Sequence, residues 1–367
     1  MAPTALQSAR YEAQDFDAAQ EMFFERGWTD GLPIVPPTED RVGAFIEAAG
    51  RPPGEIVAHY PTRRRHVSVE KVAINAVMAG CRPEYFPVVL AIVEAIATEP
   101  FGIHACNATT GGSAIGFVVN GPIRNQLGMN YRGNVFGPGN RANSTIGRAV
   151  RLTQINAMGS VPGAGAEAEA VRPVLDRATL GQPGKYAGYH LPENEEDFPS
   201  LRPLHVELGY APEQSVVTAF ATGGHIQFSA HAEPTAAEIC ATLSHFLVGT
   251  GKLSRYGWCV LVIPPENAEI FARDGWSKAD IRGAIFEGTT RSAAWAKRNG
   301  WPTGGSPIDR RGGEVEPGDE ERSLAIAAKP ENILVVIAGG TAGAFVHALL
   351  PYGGQVSKVI RTTGESK

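Results

Sequence analysis

The stretch GIHACNATTGGS holds the first residues whose types and spacing suit chemistry, with His104 and Cys106 two positions apart and Thr109, Thr110 and Ser113 flanking the pair Gly111-Gly112. Read as an extended strand, this spacing puts His104 and Cys106 on one face. An imidazole beside a thiol stabilises the thiolate and relays a proton. Cys81 is the second candidate thiol, because it falls in a corner between two expected helices. The competing reading of Cys106 is a small core residue. Cys240 and Cys259 sit inside apolar runs and read as core.

A second group of residues suits the binding of an anion. NGPIRNQLGMNYRGN brings Arg124, Asn125, Asn130 and other amides together with no acid among them, and GPGNRANSTIGRA follows with Asn140, Arg141, Asn143, Ser144, Thr145 and Arg148. The second stretch opens an apolar-periodic helix for which Asn143 or Ser144 is the expected N-cap. Free N–H groups and the positive dipole end of such a first turn attract a carboxylate or phosphate. Paired glycines recur at Gly111-Gly112, Gly223-Gly224 and Gly339-Gly340, the last followed by Thr341, and each pair allows close backbone approach to a ligand. The competing reading is that the amides shape loops, the glycines make turns, and the arginines pair with acids elsewhere.

The elements that must position these groups alternate between helix and short strand. TEDRVGAFIEAAG and SVEKVAINAVMAG have Thr38 and Ser68 as caps and stop at Gly50 and Gly80, and RPEYFPVVLAIVEAIATEP reads as a third helix. FGIHACN, SAIGFVVN, SVVTAFA, HIQFSA, WCVLVI and NILVVI read as strands, and AGGTAGAFVHALLP as a glycine turn entering a helix before a last strand QVSKVIR. Capping boxes are expected at Thr235 to Glu238 and Ser277 to Asp280. The fold class is α/β or mixed α+β, with two lobes of short strands, glycine-rich turns and flanking helices. The expected division is an N-terminal helical arm over 1–60, a first α/β lobe over 61–160, a linker or excursion over 161–204, and a second α/β lobe over 205–367. WPTGGSPIDRRGGEVEPGDEE is polar and aperiodic, as a mobile loop or lid would be.

Composition narrows the function classes. With 367 residues, 43% of them apolar, the chain can bury a large core. A net charge of -5 argues against nucleic acid as a partner, and no apolar run has the ~20 residues of a membrane span. The first residues lack an apolar signal core, so a cytoplasmic location is expected. GGTAG has the wrong spacing for a dinucleotide fingerprint, no phosphate-binding GxxxxGK[ST] occurs, and the histidines form no HExxH, so neither a cofactor nor a metal is expected.

DGLPIVPPTEDRV, VEKVAINAVMAGCRPEYFPVVLAIVEA, NGPIRNQLGMN, GPGNRANSTIGRAVRL and ARDGWSKADIR resemble segments of a bacterial protein group related to the UGSC selenoproteins. The resemblance spans most of the chain, but the C-G-S-C tetrapeptide is absent and AGCR at Cys81 stands nearest to it. That departure weighs against a dithiol redox role. Three readings remain open. The first is a lyase, hydrolase or isomerase that holds a small carboxylate-bearing substrate on the Asn/Arg loops and moves a proton with a Cys/His pair or water. The second is a ligand-binding or thiol redox-partner protein. The third is an assembly subunit, which the polar loops would suit as a homo-oligomer interface.

Overall fold

The computed structural model describes residues 6–163, 175–232, 234–253, 257–301, 303 and 313–362. Positions 164–174 of the expected linker, and 302 and 304–312 of the expected lid, lie outside them. The protein is a mixed α+β fold. The hairpin β1 (Ile56–Tyr60) and β2 (Arg65–Ser68) precedes β3 (Ala114–Asn120), β4 (Tyr189–Pro192), β5 (Val216–Ser229) and β6 (Cys259–Ile263). Then come the two-residue strands β7 (Arg291–Ser292) and β8 (Ser323–Leu324), β9 (Ile333–Ile337) and β10 (Phe345–Val359). One six-stranded sheet runs β4-β3-β5-β10-β6-β9. It crosses the expected lobe boundary: β3 from the first half lies between β4, from the supposed linker, and β5 from the second half.

Apolar helices cover one face of this sheet in two blocks. α1 (Phe16–Glu25), α2 (Glu39–Ala49), α3 (Val69–Met78), α4 (Phe86–Ile96) and α7 (Arg141–Asn156) belong to the first half, with the short α5 (Ile103–Ala108) and α6 (Ile123–Gln126) between them. Their core takes in Ile115, Phe117 and Val119 of β3 and Val217, Ala219 and Ala221 of β5. The helices over Ala236–Gly249, Pro265–Arg273 and Lys278–Thr289 close a second core on Leu261, Val335 and Ala348. A third core, with Phe220, Leu349, Val260 and Tyr189, has its own side of the sheet.

Three elements differ from the sequence reading. FGIHACN forms the helix α5 rather than a strand, starting from Gly102 in the left-handed region at φ 73°. Gly353 and Gly354 of β10 fix its approach, since an added Cβ would come 2.7 Å from the Phe101 carbonyl oxygen and 1.9 Å from that of Pro100. TAGAFVHALLP is not helical either: Phe345 to Val359 form one strand whose pairing with both β5 and β6 overrides local propensity. SVVTAFA and HIQFSA merge into β5, so Gly223-Gly224 lie inside a strand and not at a turn. There the side-chain phase slips by one residue. Residues 217, 219 and 221 face the first helical core, whereas Phe228 faces the second. Gly224, at φ 131°, supplies the irregular backbone for this bulge.

The buried His190 on β4 makes the fold sensitive to acid. It is 4% exposed, and burial holds its pKa down to about 4, the nearby carbonyls of Val135 and Ala187 offsetting this only in part. The unfolded chain protonates this ring near 6.5 while the folded chain does not, so its stabilisation is complete above pH 6.5 and is lost as pH falls. The loss from His190 amounts to about 2 kcal/mol by pH 5. Glu70, Glu196 and Asp274, whose pKa values are lowered in the fold, act below the ordinary carboxylate range and leave this window to histidine. Urea titrations at pH 7 and pH 5 are expected to give a smaller difference for His190→Leu than for the parent, and equal differences would refute the assignment.

Candidate functional site

The acid-free polar stretch 120–134 finds its acids in the segment ENEED, 193–197. Arg124 is 2% exposed, donates from Nε to the Gly121 carbonyl, and pairs with Glu195 at 3.0 Å and Glu196 at 2.9 Å. Asn125 donates to Glu196, and Arg132 pairs with Asp197. Arg148 makes a bidentate pair with Asp30, at 2.8 and 2.9 Å, and also donates to the Pro33 carbonyl. Arg141 donates to the Gly80 carbonyl. The cap of α7 is Asn140 rather than Asn143 or Ser144: its Oδ1 accepts from the Asn143 N–H at 3.0 Å. Asn143 is buried and clasps the backbone of Asn130 in both directions. Thr145 returns its hydroxyl to the Arg141 carbonyl, while Ser144 is half-buried in the first turn.

These amides build the loop from Asn130 to Asn140. Asn130 Nδ2 donates to the Gly133 carbonyl, Asn134 Nδ2 to that of Pro138, and Asn140 Nδ2 to that of Gly128. The Gly339 N–H is anchored on the Tyr131 carbonyl, and Gly340 packs on Gly133. Gly339, Gly340 and Thr341 follow the edge strand β9, three strands from β5. Gly111 meets the Tyr352 ring and donates its N–H to the Thr109 hydroxyl oxygen, while the Thr110 carbonyl accepts from Thr179. Gly112 packs on Gly181.

The fixed loop carries Phe136 onto a group of rings that sequence reasoning missed. His225 and His347 stack with centroids 5.5 Å apart and planes 5° from parallel. Phe136 lies 5.5 Å from His347 and 6.3 Å from His225, and Tyr189 stands edge-on to both Phe136 and His225. The phase slip at Gly223-Gly224 turns the odd-numbered His225 to the side that Phe220 faces before the bulge. The bulge therefore re-aims this imidazole.

Hydrogen bonding orients that ring. Gln182 Nε2 donates to the carbonyls of Gly112 and Thr222, which turns its Oε1 toward Tyr189. The Tyr189 hydroxyl then donates to Oε1 at 2.9 Å. With its proton spent there, the Tyr189 oxygen accepts from His225 Nδ1 at 3.2 Å. The network assigns the His225 proton to Nδ1 and leaves a lone pair on Nε2. Burial lowers the pKa of His225, and burial together with the neighbouring His225 lowers that of His347 to about 4. Both rings are neutral at pH 7. His225 is solvent-exposed and Tyr189 buried, so the base points outward from a fixed support.

His104 and Cys106 do not form the expected pair. Two residues on a helix point about 200° apart, and His104 Nδ1 meets the Tyr60 hydroxyl at 2.8 Å while Cys106 turns inward. Cys106 lines a cavity of about 20 Å³ with Ser113, Arg151, Gln154, Asp176 and Lys185, room for one water. Burial pushes the Cys106 thiol up to about 11 and that of Cys81, which donates to the Thr145 carbonyl, up to about 12. Cys240 and Cys259 are buried as well. An aromatic disulfide reagent at pH 8 should accordingly leave the native thiols largely unmodified over minutes and titrate them after denaturation. One fast native thiol would return a cysteine to consideration as nucleophile.

Comparison with family models, curated proteins and solved structures finds no match.

Proposed function

We propose that the protein is an enzyme of the lyase, hydrolase or isomerase type that moves a proton on a small carboxylate-bearing substrate, with His225 Nε2 as the base. The observation that carries this reading is the chain from the Gly112 carbonyl through Gln182 and Tyr189 to His225, which fixes tautomer and ring direction at an exposed imidazole. A general base needs a free lone pair, a neutral form at working pH and a held orientation, and this ring has all three. Arg132, on the loop that carries Phe136, is the cation nearest in the chain for a substrate carboxylate; its guanidinium is half-exposed and paired only at the surface with Asp197. Phe136 and His347 supply a flat apolar wall.

The test uses exchange rather than a guessed product. A panel of short-chain carboxylic acids is incubated with the protein in D2O, and loss of the proton next to the carboxylate is followed by NMR. Exchange of at least one acid above the buffer rate, lowered by about 10² to 10⁴ in His225→Gln, supports the reading. No exchange across a panel that includes hydroxy, keto and unsaturated acids, or exchange in His225→Gln at close to the parent rate, refutes it.

A further inference from the structure

A groove of about 810 Å³, open to solvent along part of its length, lies beside the N-terminal segment and is large enough for a small organic ligand. Met22, Phe23, Trp28, Ile74 and Met78 form its apolar wall. The segment over 6–13 lies across it as a strap. The N–H groups of Gln7 and Ser8 donate to the carboxylate of the buried Glu70, and Tyr11 packs on Trp28 with the Arg26 guanidinium over both rings.

The charges at this groove do not balance. Its acids are already engaged: Glu70 with the strap, Glu39 with Arg10, and Asp15 as the cap of α1. Arg41, Arg65 and Lys71 also line it; Lys71 lies near enough to Glu70 to help hold its pKa down, whereas among the described residues neither Arg41 nor Arg65 has a carboxylate within ion-pair distance. Arg41 donates only to the Pro36 carbonyl. Four cations, Arg10, Arg41, Arg65 and Lys71, face three carboxylates, Asp15, Glu39 and Glu70, so one positive charge is left over beside an apolar wall. This suits one chemical class, an amphiphile with an anionic head and an unbranched or aromatic apolar body.

We infer that this groove is a binding site for such an amphiphilic anion, with the apolar body against Trp28, Ile74 and Met78 and the head toward Arg65 and Lys71. It shares no residue with the His225 group and stands independently of the function proposed there.

Decanoate and its neutral counterpart 1-decanol are the probes, titrated calorimetrically into the full chain. Decanoate is expected to bind at least tenfold more tightly than decanol. The pair of substitutions Arg65→Met and Lys71→Met should weaken decanoate by about 10- to 150-fold, the range of a lost charge-assisted hydrogen bond, and leave decanol unchanged. Ile74→Trp, which fills the void from a half-buried position, should weaken both probes. Melting curves of the unliganded variants establish that each is folded. Failure of decanoate to bind the parent, equal affinity for decanol, or full affinity in the folded double variant or in folded Ile74→Trp would each overturn the inference.

Discussion

Lys278→Met is expected to destabilise the protein by about 3 to 5 kcal/mol, the cost of leaving a buried charge without its partner. Lys278 and Glu193 are both 1% exposed, and the ammonium stands 2.5 Å from Glu193 Oε1. Their placement explains the size of the effect. Glu193 follows β4 and gathers the Asn120 amide at 2.6 Å, the Leu204 N–H at 2.7 Å and the Ile337 N–H at 3.3 Å. These donors come from the end of β3, from a helix start and from the edge strand β9, so one carboxylate joins parts of the sheet that the helical layers leave apart. Neutral donors alone do not match the charge once the ammonium is gone. The double variant Lys278→Met with Glu193→Gln should recover part of the loss, because an amide leaves no buried charge. Denaturant titrations measure both, and a loss below ~1 kcal/mol for the single variant would mean that the charge is compensated elsewhere.

That network also shows what the sequence makes legible. Helix caps are local, and several read well: Ser68 accepts from the Lys71 N–H, and Ser277 with Asp280 forms a capping box. By contrast, Thr235 accepts from the Glu238 N–H without the reciprocal half of a box, Thr38 starts α2 without a side-chain cap bond, and the α7 cap falls on Asn140. Gly50 ends α2 in the left-handed region, at φ 60°. WCVLVI, NILVVI and SAIGFVVN are strands because continuous apolar runs bounded by turns have few alternatives. Partners distant in sequence were hidden. Nothing in NGPIRNQLGMNYRGN indicates that Arg124 and Arg132 meet ENEED some seventy positions later, since spacing carries no information on long-range pairing.

The same limit applied to the candidate site. His225 and His347 belong to strands that pair only through the register of β5 with β10, in which Leu349 stands opposite His225 and His347 opposite Gln227. Reading GAFVHALL as a helix took His347 away from that register. One signal was available. An exposed-side histidine directly after a glycine pair inside a β-branched and aromatic run marks a bulge that re-aims a side chain, and glycine within a strand has that meaning more often than a turn does. For α7, by contrast, local chemistry described the first turn as polar and capped but did not tell a ligand-binding end from one consumed by its own loop.

His225→Gln is expected to lower the rate of proton exchange by about 10² to 10⁴, the usual worth of a positioned general base. Glutamine keeps a donor for the Tyr189 oxygen but offers no basic nitrogen, so loss of rate with an unchanged melting curve separates chemistry from folding. Tyr189→Phe tests the support instead of the base. It removes the oxygen that accepts from Nδ1, so the ring can carry its proton on either nitrogen and rotate, and a smaller loss of about 10- to 100-fold is expected by analogy with outer partners of metal-bound histidines. The pH profile distinguishes the two. Because burial lowers the pKa of His225, the parent rate should stay level from pH 8 to below the ordinary histidine value before it falls. In Tyr189→Phe the acid limb should move, since a ring no longer held among Tyr189, Phe136 and His347 is freer to reach solvent and to be protonated. A purely structural tyrosine would lower stability and leave the acid limb in place, and that result would remove the relay from the mechanism while leaving His225 as an unassisted base.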